Sequence, residues 1–356
     1  MQALEKLKLL ENKYDVCGGT KICSLGHIYD ASTPRSKCPL YKTLMSNACS
    51  YDCKYCVNNK KTRQTTAAFE PEELAKHFMH LYHGKDVEGL FLSSGVVKDA
   101  DKTTELMLDT VRNIRFKYNY RGYIHFKILP GTSYELIKQA SELADRLSIN
   151  LESPSKSRLA EVATVKDFKN DILRRQAWIK NLHPNQTTQF IIGATDETDL
   201  EVLKMSEWEY NNFNMRRIYY SAFKAAPNIE LKRKSESLTR QNRLYNVDFM
   251  MRKYNIPLKE IKEIMADDML PAQDPKLALA KQNIDSPVNI NEASFDELVR
   301  VPGIGPKTAR KIIEMHDNKI KITKYWQLYQ LGVSIKKAVP FIDVDGKTQT
   351  RLAEFV

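Results

Sequence analysis

The distribution of cysteine constrains this chain more than any other feature of its sequence. All six cysteines lie between Cys17 and Cys56 of a 356-residue chain, and the 300 residues that follow contain none. A disulfide framework would spread its bridges through a small secreted domain, and a chain of this length is not such a domain. The crowded thiols therefore predict a metal site near the amino terminus.

The densest part of this group is Cys49-Ser-Tyr-Asp-Cys53-Lys-Tyr-Cys56, a C-x3-C-x2-C motif in a short polar segment. Thiolates at this spacing can wrap one corner of a cubane [4Fe–4S] cluster and bind three of its four irons. Zinc is the alternative metal. Zinc favours four closed ligands, however, and this segment supplies three. The spacing therefore favours an iron–sulfur cluster on Cys49, Cys53 and Cys56.

Downstream of this motif, short apolar runs alternate with longer amphipathic stretches, which is the pattern of βα units around a parallel sheet. Strands are predicted near residues 41–46, 89–92, 123–129, 148–153, 187–194 and 216–223, and helices near 71–83, 104–117, 133–145, 167–180, 198–207 and 240–254. These repeats predict an α/β fold, a partial TIM-like (β/α)6 barrel. Ligands of such barrels gather at the carboxyl ends of the strands.

The carboxyl-terminal part contains Val301-Pro-Gly-Ile-Gly-Pro306 followed by a basic helix, with a capping-box pattern at Ser294 and Glu297. It resembles the helix-hairpin-helix motif of proteins that bind DNA without sequence specificity. In that motif glycines expose backbone N–H groups at a helix N-terminus, where a phosphate oxygen accepts from them. The candidate DNA contacts are Gly303, Ile304, Gly305, Lys307, Thr308, Arg310 and Lys311. A helical hairpin for protein contacts is the alternative, and a second, degenerate hairpin is predicted over 329–341.

Charge supports a polyanionic partner. The formal net charge is +11, and from Arg300 to the end eleven Lys and Arg residues stand against five Asp and Glu. Excess basic charge favours nucleic acid through phosphate neutralisation and counterion release. A solvated basic surface without a nucleic-acid partner is the alternative.

The cysteine motif resembles that of the radical S-adenosylmethionine (SAM) superfamily. This resemblance implies that SAM binds the fourth iron through its amine and carboxylate, and that reduction of the cluster releases a 5′-deoxyadenosyl radical. It also implies SAM contacts at the ends of the strands, namely Tyr55, Ser93, Ser94, Gly95, Glu152, Ser153, Ile191 and Gly193. Gln189 and Asp196 depart from the Gly-x-Ile-x-Gly-x-x-Glu pattern of the superfamily, where Gly and Glu are usual.

The order of these motifs resembles a family of DNA modification and repair radical SAM proteins that end in a helix-hairpin-helix domain. The resemblance implies hydrogen abstraction from a DNA base, most simply a pyrimidine methyl or methylene. It also implies a uracil-DNA-glycosylase-like protein as a partner and an electron donor such as flavodoxin or ferredoxin. An RNA substrate is the first alternative. The second is a DNA-binding protein whose cluster is structural or redox-sensing.

The remaining cysteines, Cys17, Cys23 and Cys38, are separated by 5 and 14 residues. They are either ligands of an auxiliary iron–sulfur cluster, as several radical SAM enzymes have, or buried structural cysteines.

We expect four segments: an extension over 1–40, the barrel over 41–270, a linker over 271–285 and the hairpin domain over 286–356. No run reaches the 18 or so apolar residues of a membrane span, and no secretion signal is present. The sequence therefore predicts a cytoplasmic protein without membrane contact.

Overall fold

The computed structural model describes residues 3–10, 28–32, 37–62 and 64–346. The chain divides into two compact units, the first over 1–197 and 205–237, the second over 198–204 and 238–356. Cys17 and Cys23 lie outside the described residues. No described helix has the length and apolar character that crossing a membrane requires.

The first unit is built on one seven-stranded sheet whose strands follow one another in chain order. The strands are β1 Ile28–Ser32, β2 Lys37–Leu44, β3 Gly89–Ser93, β4 Tyr123–Lys127, β5 Arg146–Ser148, β6 Gln186–Ile192 and β7 Arg217–Ala222. Strand β1 is antiparallel to β2, and the pairs from β2 to β7 are all parallel. Helices cover this curled sheet, which confirms the predicted half-barrel. Strand β1 was not predicted.

The helices of this part are α1 Ala3–Leu10, α2 Pro71–His83, α3 Ala100–Arg112, α4 Tyr134–Leu143, α5 Lys156–Val162, α6 Arg174–Leu182 and α7 Asp199–Phe213. A π-helical segment, Asn113–Lys117, follows α3, and a second one, Phe168–Leu173, precedes α6. Helix α2 shows why the predicted bounds held. Pro71 occupies the first turn, Glu70 and Glu73 form a capping box, and Gly84 ends the helix.

Strand β5 differs from its prediction. It ends at Ser148, although the alternating pattern predicted a strand over 148–153. The backbone of Glu152 is left-handed, with φ of 69°. The chain therefore turns there, and it meets β6 through the bonds from Glu152 N–H to Gln189 O (2.9 Å), from Ile191 N–H to Glu152 O (2.8 Å) and from Leu151 N–H to the Thr188 hydroxyl (3.0 Å). The local sequence does not reveal this turn because a non-glycine residue rarely adopts such a backbone.

The second unit is mainly helical. Its helices are α8 Leu238–Tyr254, α9 Leu258–Glu263, α10 Pro275–Asn283, α11 Phe295–Arg300, α12 Pro306–Asp317, α13 Tyr325–Leu331 and α14 Ile335–Ala338, followed by a 3₁₀ turn over Val339–Phe341. A short parallel pair joins β8 Val288–Asn289 to β9 Ile342–Asp343. Leu298, Ile304, Ile312, Leu328 and Val333 are buried together in its core.

Helix α10 lies inside the segment that we expected to be a linker, 271–285. The Asp274 side chain caps it by accepting from the Lys276 N–H at 3.0 Å, and Pro275 occupies its first turn. Ala278, Leu279 and Ala280 are buried. The two prolines that suggested a break therefore start a packed helix, since proline is as compatible with a first turn as with a linker. This helix belongs to the second compact unit, which includes residues 238–356.

Candidate functional site

The loops at the carboxyl ends of the parallel strands surround a cavity of about 470 Å³ in the first unit. Residues in the last part of each strand from β2 to β7, or just after it, contribute to its lining. Cys49, Cys53 and Cys56 all line it. The cavity therefore brings the cysteine motif together with strand ends that are far apart in the sequence, at the edge of the sheet where such barrels bind ligands.

The cysteine loop begins after β2 and is held against the end of β3. The Gly95 N–H donates to the Ser46 carbonyl at 2.7 Å, and the Ser50 N–H donates to the Val96 carbonyl at 2.8 Å. The Ser94 hydroxyl accepts from the Ser46 N–H at 3.2 Å. These bonds continue the pairing of the two strands into the loop and fix the position of its first cysteine, Cys49.

Gly95 is required by a close approach of two backbone segments. A Cβ atom at this position would lie 2.3 Å from the Ala48 carbonyl oxygen and 3.2 Å from the Cys49 Cβ. Any side chain would therefore displace the beginning of the cysteine loop. Ser93, Ser94 and Gly95 line the cavity, so this tight packing forms part of its wall.

Two of the three cysteine sulfurs accept backbone hydrogen bonds. Cys49 Sγ accepts from the N–H groups of Tyr51 and Val96, and Cys56 Sγ accepts from that of Asn58, each at 3.4 Å. Hydrogen bonds of this kind stabilise thiolates and tune the potential of an iron–sulfur cluster. The donor set and its surroundings therefore fit a cluster held by Cys49, Cys53 and Cys56.

Burial raises the pKa of the Cys53 thiol, and burial together with the neighbouring Cys53 raises the pKa of Cys56 to about 12. Such thiols become thiolates when a bound cation supplies the opposing charge. Among the described residues, no three His, Cys, Asp or Glu side chains are grouped as ligands of a single metal ion. A cubane cluster differs from a single ion because each thiolate binds its own iron.

A buried ion pair lies on another wall of the same cavity. The Lys166 ammonium is 3.1 Å from Glu152 Oε1 and also donates to the Tyr55 hydroxyl at 3.1 Å. Burial alone would lower the pKa of Lys166, but the nearby Cys53 and the Glu152 carboxylate raise it, so the ammonium form is held. The left-handed backbone of Glu152 places its carboxylate in this pair. The three side chains thus form a polar, fixed surface beside the cysteines.

The turn after β6 contains a functional candidate that sequence reasoning missed. Gly193 has φ of 81°, and its N–H donates to Glu197 Oε1 at 2.6 Å. Glu197 Oε2 accepts from the Thr195 hydroxyl at 2.6 Å. Asp196, which we aligned with the glutamate of the superfamily pattern, is exposed and pairs with Arg233. Glu197, one residue further along, is therefore the buried carboxylate that holds this turn, whereas Asp196 is exposed.

The predicted SAM contacts divide into two groups. Those that line the cavity are Tyr55, Ser93, Ser94, Gly95, Glu152 and Ile191. Ser153 and Gly193 are not among the described residues that line it. Lys166, Lys127 and Gln189 line it as well. Lys166 carries no signal in the sequence because it lies between two helical segments and outside any recognisable motif.

Cys38 lies near the beginning of β2, beside Glu88. It is not among the described residues that line the cavity. Leu44, at the end of β2, is six positions further along the strand, about 20 Å at the usual rise. Its two predicted companions, Cys17 and Cys23, lie outside the described residues, so the auxiliary site stays a prediction.

In the second unit, helices α11 and α12 are joined by the turn Val301–Gly305, as the sequence predicted. Gly303 has φ of 89°, and a Cβ there would lie 2.5 Å from the Ser334 carbonyl oxygen. The Ser334 N–H in turn donates to the Gly303 carbonyl at 3.0 Å. A Cβ at Gly305 would meet no atom within 4 Å, so this side of the turn is open.

The seven candidate DNA contacts differ in exposure. The side chains of Lys307, Arg310 and Lys311 are exposed, whereas Ile304 and Thr308 are buried. Ile304 belongs to the core of the unit and anchors the turn from beneath. Its side chain and that of Thr308 are therefore scaffold, and the predicted contacts of these two residues with DNA concern their backbone.

Lys276 supports the hairpin turn from below. Its buried Nζ donates to the Ile304 carbonyl at 2.5 Å and lies 4.4 Å from the centre of the Tyr254 ring. Burial lowers its pKa to about 7. With Gly303, Ile304 and Gly305, Lys276 lines a second cavity of about 340 Å³.

Two family models match this chain. Residues 43–208 match the radical SAM superfamily, and residues 284–331 match a helix-hairpin-helix motif. The chain contains a radical SAM domain. It also contains a helix-hairpin-helix motif, which includes α11, the turn and α12. No protein of curated function is significantly similar to the chain in sequence.

Solved structures support the fold. The crystal structure of HydG, a maturase of the [FeFe]-hydrogenase, matches with a TM-score of 0.51 and 14% identity, covering 60% of this chain and 49% of HydG. HydG from Carboxydothermus hydrogenoformans matches with a TM-score of 0.50 and 16% identity, covering 60% of this chain and 51% of HydG. The chain thus spans about half the length of these structures, and identities this low show the fold alone.

Domains of the radical SAM superfamily hold a [4Fe–4S] cluster and SAM. The chemistry around the first cavity fits both. Three cysteines line it, and two of their sulfurs accept from backbone N–H groups. Close backbone packing at Gly95 and the polar pair Glu152–Lys166 provide surfaces for an amino-acid and ribose group.

Proposed function

We propose that this radical SAM enzyme modifies or repairs a base in DNA. The observation that carries the proposal is the cavity at the carboxyl ends of the parallel strands, which Cys49, Cys53 and Cys56 line. The helix-hairpin-helix motif in the same chain supports nucleic acid as the substrate. An excess of basic charge supports it further.

In this proposal Cys49, Cys53 and Cys56 hold the cluster, and the residues around them hold SAM. The backbone of Ser93, Ser94 and Gly95 receives the amino-acid part of SAM. When bound, the cluster and SAM together supply a 5′-deoxyadenosyl radical, the reagent that removes hydrogen from an unactivated carbon. The protein's own residues orient the substrate and exclude water.

The ion pair between Glu152 and Lys166 is a positioning element of the proposed SAM site. Two charges that are paired and buried keep one geometry, since separating them leaves an uncompensated charge. Tyr55 is fixed by the same ammonium at 3.1 Å. Ile191 supplies an apolar surface, and the Glu197 carboxylate holds the turn at Gly193 that follows it.

The hairpin turn grips the phosphate backbone. The open side of Gly305 leaves room for a phosphate at the N-terminus of α12, which has twelve residues. Lys307, Arg310 and Lys311 add positive charge at the same end of the helix. Such contacts position DNA without reading its sequence.

A base inside a duplex cannot enter the first cavity, so the target base must be flipped out or unpaired.

The proposal includes an electron donor such as flavodoxin or ferredoxin and a uracil-DNA-glycosylase-like partner. It also includes a cytoplasmic location, because thiols that bind a cluster need a reducing compartment. If Cys17, Cys23 and Cys38 bind metal, they hold a second cluster.

The test is production of 5′-deoxyadenosine by anaerobically prepared protein with a complete cluster, SAM and dithionite. Reactions contain no nucleic acid, DNA, or RNA of the same sequence at equal salt. We expect production to rise with DNA and to rise less with RNA. Equal stimulation by RNA would move the proposal to RNA, and no production in any reaction would favour a structural or redox-sensing cluster.

Cys53→Ala serves as the inactive control, and Cys38→Ala tests whether a cysteine away from the cavity also holds a cluster. Iron and sulfide content of both variants is measured beforehand. A Cys38→Ala variant that keeps its cluster and its activity separates the motif from the other cysteines.

A further inference from the structure

Helix α13 carries two large aromatic side chains at the surface. Trp326 is 54% exposed and Tyr329 is 72% exposed. They are three residues apart and therefore share one face of the helix. Leu328, on a different face, is fully buried and packs in the core of the unit. The helix is thus anchored by other residues, and packing does not account for the exposed pair.

Exposed lysines precede this pair in the sequence. Lys319, Lys321 and Lys324 are exposed in the segment that leads into α13. Residues 318–342 contain five lysines and no Asp or Glu. We call Trp326, Tyr329 and these three exposed lysines the aromatic–lysine surface. Its charge favours a polyanion and disfavours a basic protein surface.

The aromatic–lysine surface is connected to the hairpin turn through the end of α13. Gly332 ends this helix with φ of 96°, and a Cβ there would lie 3.6 Å from the Thr308 hydroxyl. Two residues later, the Ser334 N–H donates to the Gly303 carbonyl at 3.0 Å. Helix α13 has seven residues, about 10 Å at the usual rise. This length corresponds to about three base steps of one DNA strand.

We propose that the aromatic–lysine surface binds an unpaired stretch of DNA, with bases stacked on Trp326 and Tyr329 and phosphates neutralised by Lys319, Lys321 and Lys324. Stacking on an exposed ring requires a free base face, which a duplex does not offer. Basic grooves with aromatic rings are the general means by which proteins bind single strands without sequence preference. This inference rests on the proposed function and deepens it, because it defines the substrate as DNA with an unpaired segment next to the duplex that the hairpin holds.

The test compares binding of a labelled oligothymidylate and of a duplex of equal length to the full chain, by fluorescence anisotropy at fixed salt. For Trp326→Ala/Tyr329→Ala we expect the affinity for the single strand to fall at least about tenfold, and duplex affinity to change less than about twofold. Trp326→Phe/Tyr329→Phe keeps both rings and should retain most of the affinity. Trp208→Ala removes an exposed tryptophan of helix α7 and serves as the matched control.

A second measurement does not depend on these variants. The chain has three tryptophans, Trp178, Trp208 and Trp326. In a Trp178→Phe/Trp208→Phe variant the remaining Trp326 fluorescence should be quenched by oligothymidylate and not by inorganic polyphosphate, because stacking needs a base.

Three results would overturn the inference. The first is unchanged single-strand affinity of the double alanine variant, and the second is equal loss for both DNA forms, which would indicate general backbone contacts. The third is a dimer that the same substitutions dissociate, which would make this surface an interface between two copies. None of these results depends on 5′-deoxyadenosine production, so failure of this inference is distinguishable from failure of the proposed function.

Discussion

The two compact units place their charged side chains in different ways. Around the cavity of the first unit, Lys166 and Glu152 are buried and paired beside three cysteines. On the helix-hairpin-helix motif and α13 of the second unit, lysines and aromatic rings face solvent. Paired buried charges hold one geometry around a small cofactor, whereas exposed charges adapt to a polymer whose shape varies. The difference agrees with our proposal that the chemistry takes place in the first unit and that the second unit binds the polymer.

The largest expected effect concerns the cluster alone. Cys53→Ala removes a buried thiol of the motif and should abolish 5′-deoxyadenosine production, because one iron of the cluster loses its protein ligand. DNA affinity, measured by anisotropy, should stay within about twofold of the wild type, since phosphate contacts are electrostatic and separate from the cluster. A large loss of DNA affinity would contradict the proposal that the cluster and the DNA contacts lie in different units.

The converse variant reverses charge on the hairpin. Lys307→Glu/Arg310→Glu/Lys311→Glu should lower DNA affinity by about tenfold or more and make its salt dependence shallower, by about 0.9 in the logarithmic slope for each phosphate that is no longer neutralised. SAM binding, measured by calorimetry, should not change. The matched control reverses three exposed lysines of α9 and α10, Lys259, Lys262 and Lys281. Equal loss in the control would mean that net charge, not the hairpin, governs binding.

A smaller effect is expected from Gly95→Ala. The new Cβ, 2.3 Å from the Ala48 carbonyl oxygen, displaces the start of the cysteine loop. We expect SAM affinity to fall by about tenfold, the order of effect seen when groups that orient a metal site are lost. Gly84→Ala is the control, because its nearest neighbour is the end of the flexible Asp86 side chain at 3.0 Å. Comparable SAM affinity in both variants would show that the loop tolerates displacement.

The smallest effect is a contrast in pH dependence. Burial raises the pKa of Glu209 in the first unit to about 8 and lowers that of Lys276 in the second to about 7. Glu209 therefore destabilises the folded state progressively as pH rises from about 4.5 to 8, since the unfolded carboxyl ionises first. Lys276 has the opposite sign: stability rises between about pH 7 and 10.5, where the unfolded state binds more protons.

Urea unfolding at several pH values measures this contrast. Each group contributes at most about 1.4 kcal/mol per pH unit to the free energy of unfolding. Glu209→Gln should remove the loss between about pH 5 and 8, and Lys276→Met should remove the gain above about pH 7. Unchanged slopes in both variants would mean that neither group titrates in the folded protein.

Much of the fold follows from local sequence signals. The bounds of α2 and the start of α12 at Pro306 were predicted because capping residues and first-turn prolines act within a few residues. Strand β1 and the early end of β5 were missed. Strand β1 lies at the edge of the sheet and pairs with β2, and the end of β5 depends on Glu152, which adopts a backbone that its residue type does not suggest.

The residues of the candidate site also divide into those that local sequence predicts and those that it does not. The cysteine motif and the Gly-Ile-Gly turn are contiguous, so their spacing revealed them. Lys166 and Glu197 were missed because their roles arise from contacts formed on folding, the first with Glu152 and the second with the Gly193 turn. Asp196 was chosen by its place in a pattern, but the chain turns so that its neighbour faces inward.

The most direct test of the central claim is transfer of deuterium from DNA. Single-stranded DNA deuterated at all non-exchangeable base and sugar carbons is incubated with reduced, cluster-containing protein and SAM, and 5′-deoxyadenosine is examined by mass spectrometry. Our account predicts 5′-deoxyadenosine that carries one deuterium, because its new hydrogen comes from the substrate. Unlabelled 5′-deoxyadenosine formed at the same rate with and without this DNA would contradict it.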